Sequence, residues 1–421
     1  MTFYKEVCLK ETSVDRIPED WGIAKLGDVT LDHKQGFYTN QSYSSSGIRL
    51  VRITDLLNPE VSYETMPFLN VDDKTIEQFK VNVGDFLIAR SGAIGRYGIV
   101  TKDVPCIFGS YIIRFRFNTS RVDNYFLGQL FQSTYVNRQL LSKKHGATNI
   151  NINAENIKSV KIPLPPIDEQ RRIVGVLGIV DSAIGLVDRV IWKTERLKKG
   201  LMQKLLTKGM GHKEYKDTPI GKIPKEWEVT NIDEECLVGT GGTPSRSNPQ
   251  YFGGNVFWVK STEVNYNIIT KTEETLTESG MQNSNAKMHP KGSLIVALYG
   301  QGITRGKCAI LGIDAAINQA CAAIQSKGRI YIPYLFYWFQ NSYTHIRRLS
   351  QGANQANLNM EIIRSLKIPL PSIPEQQKMV EILSTLDEKL ELETKEKARL
   401  EKIKVGLMDL LLTGKIRVKV D

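Results

Sequence analysis

The sequence lacks long apolar runs and is poor in cysteine. No stretch approaches 18 uninterrupted apolar residues, and residues 1–10 carry charges where a signal peptide would be apolar. The five cysteines, at positions 8, 106, 236, 308 and 321, are scattered and form no CxxC pair. We therefore expect a cytoplasmic protein with reduced thiols, and the sequence predicts neither a disulfide framework nor a zinc site.

Motifs of nucleotide hydrolysis and of metal binding are also missing. There is no GxxxxGK[ST] phosphate loop and no apparent carboxylate cluster of the nuclease type. The five histidines, at positions 33, 145, 212, 289 and 345, show no metal-ligand spacing. We expect no catalytic site, no metal and no cofactor in this chain.

The bulk composition is that of a globular protein. The chain has 421 residues, of which 41% are hydrophobic and 24% are charged, and its length suggests two to four domains. Lys and Arg number 56 against 45 Asp and Glu, which gives a net charge of +11. This excess is compatible with a polyanionic partner such as nucleic acid, although charge alone does not identify one.

The most informative feature is an internal repeat. The segment KIPLPPIDEQRRI from Lys161 returns as KIPLPSIPEQQKM from Lys367, with eight of the first ten positions identical. KETSVDRIPEDW (Lys10) likewise matches KDTPIGKIPKEW (Lys216), and GLMQKLLT (Gly200) matches GLMDLLLT (Gly406). All three matches share an offset of 206 residues. The chain therefore consists of two tandem copies of about 200 residues.

A long helix is predicted after the prolines of each IPLP segment, because proline disfavours helix before that point. Apolar residues then recur in alternating steps of four and three, which is the spacing of a coiled coil. The predicted seam residues are Ile173, Leu177, Val180, Ile184, Val187, Ile191, Leu201 and Leu205 in the first copy, and Met379, Leu383, Leu386, Leu390, Leu400, Leu407 and Leu411 in the second. We expect the two helices to pair; the alternative is that each covers only its own domain.

The parts between these helices predict mixed α/β domains, so the predicted fold class is α+β. Each part is predicted to contain a strand, a helix and a polar loop: Gly84–Arg90, Tyr125–Leu141 and the loop from Gly146 in the first copy, and Gly292–Gly300, Tyr334–Leu349 and the loop from Gly352 in the second. The copies diverge most in these parts. Such divergence on a shared frame is expected if each domain reads a different ligand.

The order of globular domain, IPLPxxxEQ, long helix and GLMxxLLT, repeated twice, resembles the specificity subunit of Type I restriction-modification systems. The resemblance covers nearly the whole chain. It implies two target-recognition domains that each read one half of a split double-stranded DNA sequence. It also implies an antiparallel coiled coil with pseudo-twofold symmetry that sets their spacing. The implied limits are residues 1–165 and 213–371 for the domains, and 166–212 and 372–421 for the helical spacers.

The resemblance also implies that the chemistry belongs to partner chains. Two modification subunits would methylate adenine with S-adenosylmethionine, and restriction subunits using ATP and magnesium would join them where present. The chain itself would recognise DNA without being a catalyst.

Candidate DNA contacts are polar and basic residues beside glycine turns, where the backbone can approach DNA closely. The two copies carry such clusters at offsets near 206 to 208 residues. They comprise Arg90, Ser91, Arg96, Tyr97, Lys143, Lys144, His145 and Thr148 in the first copy, and Tyr299, Gln301, Thr304, Arg305, Lys307, Arg347, Arg348, Gln351, Asn354 and Gln355 in the second.

Two other functions remain open at this point. One is a fused adenine methyltransferase, because Gly239–Gly242 and Asn248–Tyr251 resemble a cofactor loop and a base-binding motif. These segments are too close in sequence to form two walls of one pocket, and Thr243-Pro244 blocks a helix after the glycines. The other alternative is a coiled-coil adaptor that binds protein and not DNA.

Overall fold

The computed structural model describes residues 3–12, 15–92, 95–142, 151–300, 303–349 and 357–419. The chain forms two compact units. The first unit comprises residues 1–188 and 395–421, and the second comprises residues 189–394. Each unit thus combines one globular part with portions of both long helices, whereas the predicted domain limits separate domains from helices. Those limits remain a prediction.

The described strands are β1 (Phe3–Lys5), β2 (Leu9–Glu11), β3 (Arg16–Pro18), β4 (Gly22–Lys25), β5 (Thr30–Gln35), β6 (Ile48–Val51), β7 (Phe68–Leu69), β8 (Phe86–Ala89), β9 (Tyr97–Ile99), β10 (Cys106–Phe108), β11 (Ile112–Phe117), β12 (Lys161–Leu164), β13 (Tyr215–Thr218), β14 (Gly221–Pro224), β15 (Glu228–Asn231), β16 (Cys236–Thr240), β17 (Phe252–Val259), β18 (Ile268–Ile269), β19 (Glu274–Leu276), β20 (Met288–His289), β21 (Leu294–Ala297), β22 (Cys308–Leu311), β23 (Ala315–Ile317), β24 (Cys321–Ser326), β25 (Lys367–Leu370) and β26 (Ile416–Val418).

The described α-helices are α1 (Asp73–Phe79), α2 (Asn124–Gln132), α3 (Thr134–Ser142), α4 (Ala154–Lys158), α5 (Ile167–Lys208), α6 (Ile232–Glu235), α7 (Glu278–Gln282), α8 (Ile332–Asn341), α9 (Tyr343–Leu349), α10 (Met360–Ser365) and α11 (Ile373–Leu412). Short 3-10 turns cover Leu26–Val29, Ile53–Asp55, Pro249–Tyr251 and Ser261–Glu263.

The two units contain corresponding sheets. The first has an antiparallel sheet in the order β5-β11-β8-β9, and the second has the corresponding order β16-β24-β21-β22, extended by β18. The inner strands β8 and β21 read FLIA and LIVA and are buried along their whole length, which suits a central strand covered on both faces. The predicted strands and the mixed α/β class are therefore confirmed, together with the tandem arrangement.

The single helix predicted in each globular part is wrong, because the structure divides it in two. Helix α2 ends before Ser133, whose backbone is extended (φ −69°, ψ 149°), and α3 begins directly after it. The Ser133 hydroxyl donates to the Leu130 carbonyl oxygen and accepts from the Val136 amide, so one side chain ends one helix and starts the next. In the second unit, Ser342 separates α8 from α9.

The two long helices begin as predicted, at Ile167 and Ile373, directly after the IPLP strands β12 and β25. They contain 42 and 40 residues. Every predicted seam residue is buried or half-buried. The alternative is also partly correct, because Ile173 and Leu177 belong to the apolar core of the first unit as well.

Ion pairs show that the helices run antiparallel within a unit. In the first unit, Asp181 and Asp188 of α5 pair with Lys404 and Lys397 of α11, at 2.7 and 2.6 Å. The residue numbers of the paired side chains increase along α5 while they decrease along α11, as in an antiparallel helix pair. In the second unit, Lys198 pairs with Asp387 at 2.5 Å. The three lysines continue the four-and-three spacing of the seam, and each of them has an acidic partner on the other helix.

The three repeated motifs meet at one junction in each unit. In the first, the buried Trp21 of the IPxxW motif donates its indole N–H to Glu169 of the EQ motif at 3.1 Å. In the second, Trp227 donates to Glu375 at 3.0 Å. The GLMxxLLT end of the other copy's helix packs beside each pair, through Leu411 in the first unit and Leu205 in the second. The C-terminal end of α11 therefore contributes to the core of the first unit, and the C-terminal end of α5 contributes to the core of the second unit.

The repeated glutamine has a separate role. In the first unit the Gln170 amide accepts from the Asp123 backbone N–H and donates to the carbonyl oxygens of Pro165 and Arg121. In the second unit Gln376 makes the equivalent bonds to Tyr331, Pro371 and Arg329. Both glutamines are fully buried, and all these backbone groups belong to irregular segments. The glutamine thus fixes the start of each long helix to the segment that precedes α2 or α8.

The cation at the junction differs between the units. Arg417 contacts Glu169 in the first unit, whereas His212 contacts Glu375 in the second, with its Nε2 at 2.8 Å. The His212 Nδ1 lies 2.5 Å from Glu226. Carboxylates only accept hydrogen bonds, so a ring bonded to one at each nitrogen has to be protonated. The hydrogen bond to Glu375, and to a lesser extent Glu226, raises the pKa of His212 above its usual 6.5.

We expect the second unit to become less stable as pH rises. A folded-state pKa above the unfolded value contributes stability that is complete below about pH 6.5 and is lost as pH rises through the folded pKa. Chemical denaturation between pH 6 and 9 should show a falling free energy of unfolding. The slope should be smaller in His212→Ala and unchanged in His345→Ala, an exposed histidine of the same unit. Equal slopes in wild type and His212→Ala would contradict this assignment.

Candidate nucleic-acid interface

The loop of residues 90–96, which joins β8 to β9, carries the predicted contacts of the first unit. The Arg90 backbone N–H donates to the Tyr111 carbonyl oxygen, and the Arg90 carbonyl accepts from Ile152. The backbone of Ser91 pairs with that of Asn151 in a single antiparallel β-type pairing. The loop therefore lies against Asn151 and Ile152, and its grouping with the predicted contacts at 143–148, which lie outside the described residues, stays a prediction.

The side chains of this loop supply two arginines. Arg90 is half-buried, and its buried Nε has no hydrogen-bond partner among the described residues. Arg96 is exposed and donates from Nη1 to the Ile53 carbonyl oxygen at 3.4 Å. Neither arginine has an acidic partner among the described residues, so both retain a charge that can meet a phosphate or a guanine edge.

Tyr97 is not a contact residue, and that prediction is wrong. Tyr97 lies in β9 and is fully buried, with its ring stacked on Phe86 at 5.0 Å between centroids. Its hydroxyl accepts a hydrogen bond from the Gln132 amide at 2.9 Å, and burial raises the pKa of Tyr97 well above its usual range. Tyr97 begins β9, which is buried at all three of its positions, whereas the exposed Arg96 precedes the strand.

The equivalent loop of the second unit, residues 298–307, joins β21 to β22 and packs against α9. The Leu358 N–H donates to the Leu298 carbonyl oxygen, which repeats the Ile152–Arg90 bond at equivalent positions. The Tyr343 hydroxyl donates to the Ile303 carbonyl oxygen at 2.6 Å. The predicted grouping of this loop with the helix that carries Arg347 and Arg348 is therefore confirmed.

Cations and aromatic rings alternate on this surface. Lys307 lies 5.8 Å from the centre of the Tyr266 ring, and its Nζ donates to the Asn265 side-chain oxygen at 2.6 Å. Arg347 donates to the Tyr343 hydroxyl at 2.6 Å. The remaining described candidates are the exposed Tyr299 and Arg348 and the half-buried Thr304 and Arg305. Such a surface offers charge to phosphates and polar or planar groups to base edges.

The other candidates lie outside the described residues. They are Lys143, Lys144, His145 and Thr148 of the first unit, and Gln301, Gln351, Asn354 and Gln355 of the second.

The glycine run at 239–242 has a packing role. A Cβ atom at Gly241 would overlap the carbonyl oxygen of Ile317, and one at Gly242 would overlap the backbone of Asn285. In the first unit a Cβ at Gly36 would likewise overlap the backbone of Gly109. These glycines permit a close approach of two backbone segments, which accounts for the apparent cofactor loop.

The turn that contains Asn265 and Tyr266 is not among the segments predicted from the sequence to contact DNA. This turn follows the 3-10 turn Ser261–Glu263 and contacts the start of β22, because the Tyr266 N–H donates to the Cys308 carbonyl oxygen. Its sequence, VNYN, has no glycine and only one possible signal, its two asparagines.

Among the described residues, no group of three or more histidine, cysteine, aspartate or glutamate side chains could hold a metal ion. Over the same residues, no helix is both long enough and apolar enough to cross a membrane.

Comparison with known proteins identifies the family. The model of the Type I restriction modification DNA specificity domain matches residues 18–192 and 224–402, which is most of both copies. The Type I restriction enzyme MjaVIII specificity subunit of Methanocaldococcus jannaschii is 30% identical over 447 aligned positions, covering 100% of this chain and 98% of the relative. The chain belongs to the family of Type I restriction-modification specificity subunits, and its function is DNA sequence specificity.

Two solved structures share the fold. A chain from a study of complex assembly and conformational transition of the type I R-M system aligns with a TM-score of 0.61 at 18% identity, covering 95% of this chain and 99% of that one. The S subunit of a Type I system from M. genitalium aligns with a TM-score of 0.57 at 14% identity, covering 93% and 96%. At these identities the likeness concerns the fold alone.

Proposed function

We propose that the two units each read one half of a bipartite double-stranded DNA target, the first through the 90–96 loop and the second through the 298–307 loop. The observation that carries this proposal is the repetition of one surface with different side chains. Each loop joins corresponding strands of its own unit and lies against the corresponding following segment. The arginine and lysine side chains, however, occupy different positions in the two loops. A duplicated frame with unlike side chains is suited to two unlike half-sites.

The proposal assigns the chemistry to other subunits. Two modification subunits would transfer methyl groups from S-adenosylmethionine, and restriction subunits with ATP and magnesium would join them where present. This chain's part is to place those subunits on the correct sequence. The family membership supports the assignment, as does the packing role of Gly241 and Gly242 in the one segment that resembles a cofactor loop.

The test is the salt dependence of DNA binding by the complex with its modification subunits. Each phosphate contact that is lost should reduce the slope of log affinity against log salt by about 1. We expect Arg305→Ala with Lys307→Ala to reduce this slope by about 1 to 2 and to weaken binding. Fluorescence anisotropy with a labelled duplex between 50 and 200 mM salt would measure both quantities.

The matched control is Lys291→Ala. Lys291 is an exposed lysine that precedes β21, whereas the 298–307 loop follows β21, so the two charges lie at opposite ends of one strand. This variant should retain the wild-type slope. An unchanged slope in the double variant, or an equal reduction in the control, would contradict the placement of the DNA at the 298–307 loop.

A further inference from the structure

Two non-glycine residues among those described have a left-handed backbone, and they occupy the same place in the two copies. Asn58 has φ +45° and Tyr266 has φ +54°, and each follows a 3-10 turn, Ile53–Asp55 or Ser261–Glu263. This conformation is disfavoured for a residue with a Cβ, so the surrounding structure has to hold it. Such residues cluster at functional sites.

Both turns are held against the strand that follows the candidate loop. The Asn58 N–H donates to the Tyr97 carbonyl oxygen of β9 at 3.2 Å, and the Tyr266 N–H donates to the Cys308 carbonyl oxygen of β22 at 2.8 Å. The residue before each left-handed position is exposed. It is Leu57 in the first unit, with 62% of its surface exposed, and Asn265 in the second. One backbone frame thus presents two different side chains at the edge of the candidate surface.

The Asn265 side chain is oriented by its neighbours. Its Oδ1 accepts from Lys307 Nζ at 2.6 Å, and its backbone N–H donates to Asn267 Oδ1 at 2.9 Å. Tyr266 holds this arrangement from the side, because its ring packs edge-on against Tyr343 at 6.2 Å between centroids. The Asn265 Nδ2 donates to no described residue, and the amide oxygen has a second lone pair.

The geometry points to Asn265 as a base-reading residue that recognises an adenine in the second half-site, with Lys307 as the residue that positions it. This inference rests on the proposed function and deepens it. An asparagine amide can accept from the adenine N6 amino group and donate to N7 in the major groove, a pairing that no other base matches. At the equivalent position of the first unit, Leu57 offers only an apolar surface. The two units therefore present different chemical groups to the base at this position.

Methylation mapping of the complex tests the inference with two variants. Asn265→Ala removes both groups that pair with adenine, so one position of the second half-site should lose its preference by about 10-fold or more. Asn265→Asp keeps an acceptor for Lys307 and cannot donate, so preference at that position should shift from adenine towards cytosine, whose N4 amino group a carboxylate accepts. The first half-site should stay unchanged in both variants. Its unchanged methylation shows that the variant complex folds and assembles.

The control variant is Gln282→Ala. Gln282 is an exposed amide of the same unit at the end of α7, which packs on β17 and β19 and not on the candidate surface. The DNA motif methylated by the Gln282→Ala complex should equal that of the wild-type complex. An unchanged second half-site in both Asn265 variants overturns the inference, as does a change in the first half-site or a uniform loss of methylation in Asn265→Asp. A wild-type complex without a bipartite motif would instead overturn the proposed function itself.

Discussion

Replacing Arg417 with alanine should lower the free energy of unfolding by about 3 kcal/mol or more, because it leaves the buried Glu169 carboxylate without a counter-charge. The Arg417 guanidinium donates to Glu169 at 2.8 and 2.9 Å, to Asp20 at 2.9 Å and to Glu6 at 3.0 Å. These contacts raise the pKa of Arg417 above its already high usual value. Glu169 is almost fully buried and cannot regain water when the arginine is removed.

The matched control for this prediction is Arg16→Ala. Arg16 pairs with Glu11 at 2.6 Å, but both side chains are mostly exposed, so the loss should be under about 1 kcal/mol. Chemical denaturation of the full chain, compared at one pH, measures both variants. Similar small losses would show that the Glu169 carboxylate does not depend on Arg417, and the junction would then contribute little to the stability of the first unit.

Replacing Trp227 with alanine should cost the second unit about 3–5 kcal/mol, because it removes a large buried side chain and its bond to Glu375. Trp227 is 1% exposed and lies in one apolar cluster with Leu205 and Met379. Those two residues come from different long helices. The cavity would therefore open where both helices meet the globular part.

Trp192→Ala is the corresponding surface control. Trp192 lies on α5 with 54% of its surface exposed, and Arg196 covers its ring at 4.7 Å. Its removal should cost about 1 kcal/mol or less. A loss in Trp227→Ala as small as that in Trp192→Ala, read from denaturation midpoints at a constant m-value, would contradict the junction as a main source of stability.

The parts of the fold that repeat were predictable from the sequence. Three motif pairs at one offset revealed the duplication, and the IPLP prolines marked the start of α5 and α11 correctly. The step of four and three residues identified the buried face of both helices. These signals are local in sequence, because a proline or a heptad spacing acts on its own neighbours.

Other features depend on contacts between distant residues and had no signal in sequence. Lys198, Lys397 and Lys404 interrupt the seam pattern, and only the structure shows that each meets an aspartate of the other helix. The roles of Glu169 and Glu375 are hidden for the same reason, because their tryptophan partners lie 148 residues away. Sequence comparison revealed that these motifs recur together but not that they touch.

The candidate site was predictable in part. The 90–96 and 298–307 loops stand out through glycine and basic residues, and the structure places the 298–307 loop beside α9, which carries Arg347 and Arg348. Tyr97 was included because it follows Arg96, but it begins the strand β9, which is buried at every position. Asn265 was overlooked because the turn that presents it contains no glycine and approaches Lys307 only in the folded chain.

The most direct test of the central claim is methylation mapping in cells that express this chain with its modification subunit, compared with cells that express the modification subunit alone. The account predicts a split adenine-methylated motif that appears only when this chain is present. Its two halves would be the half-sites of the two units. A motif that persists without this chain would contradict the account, as would the absence of any motif although the complex forms.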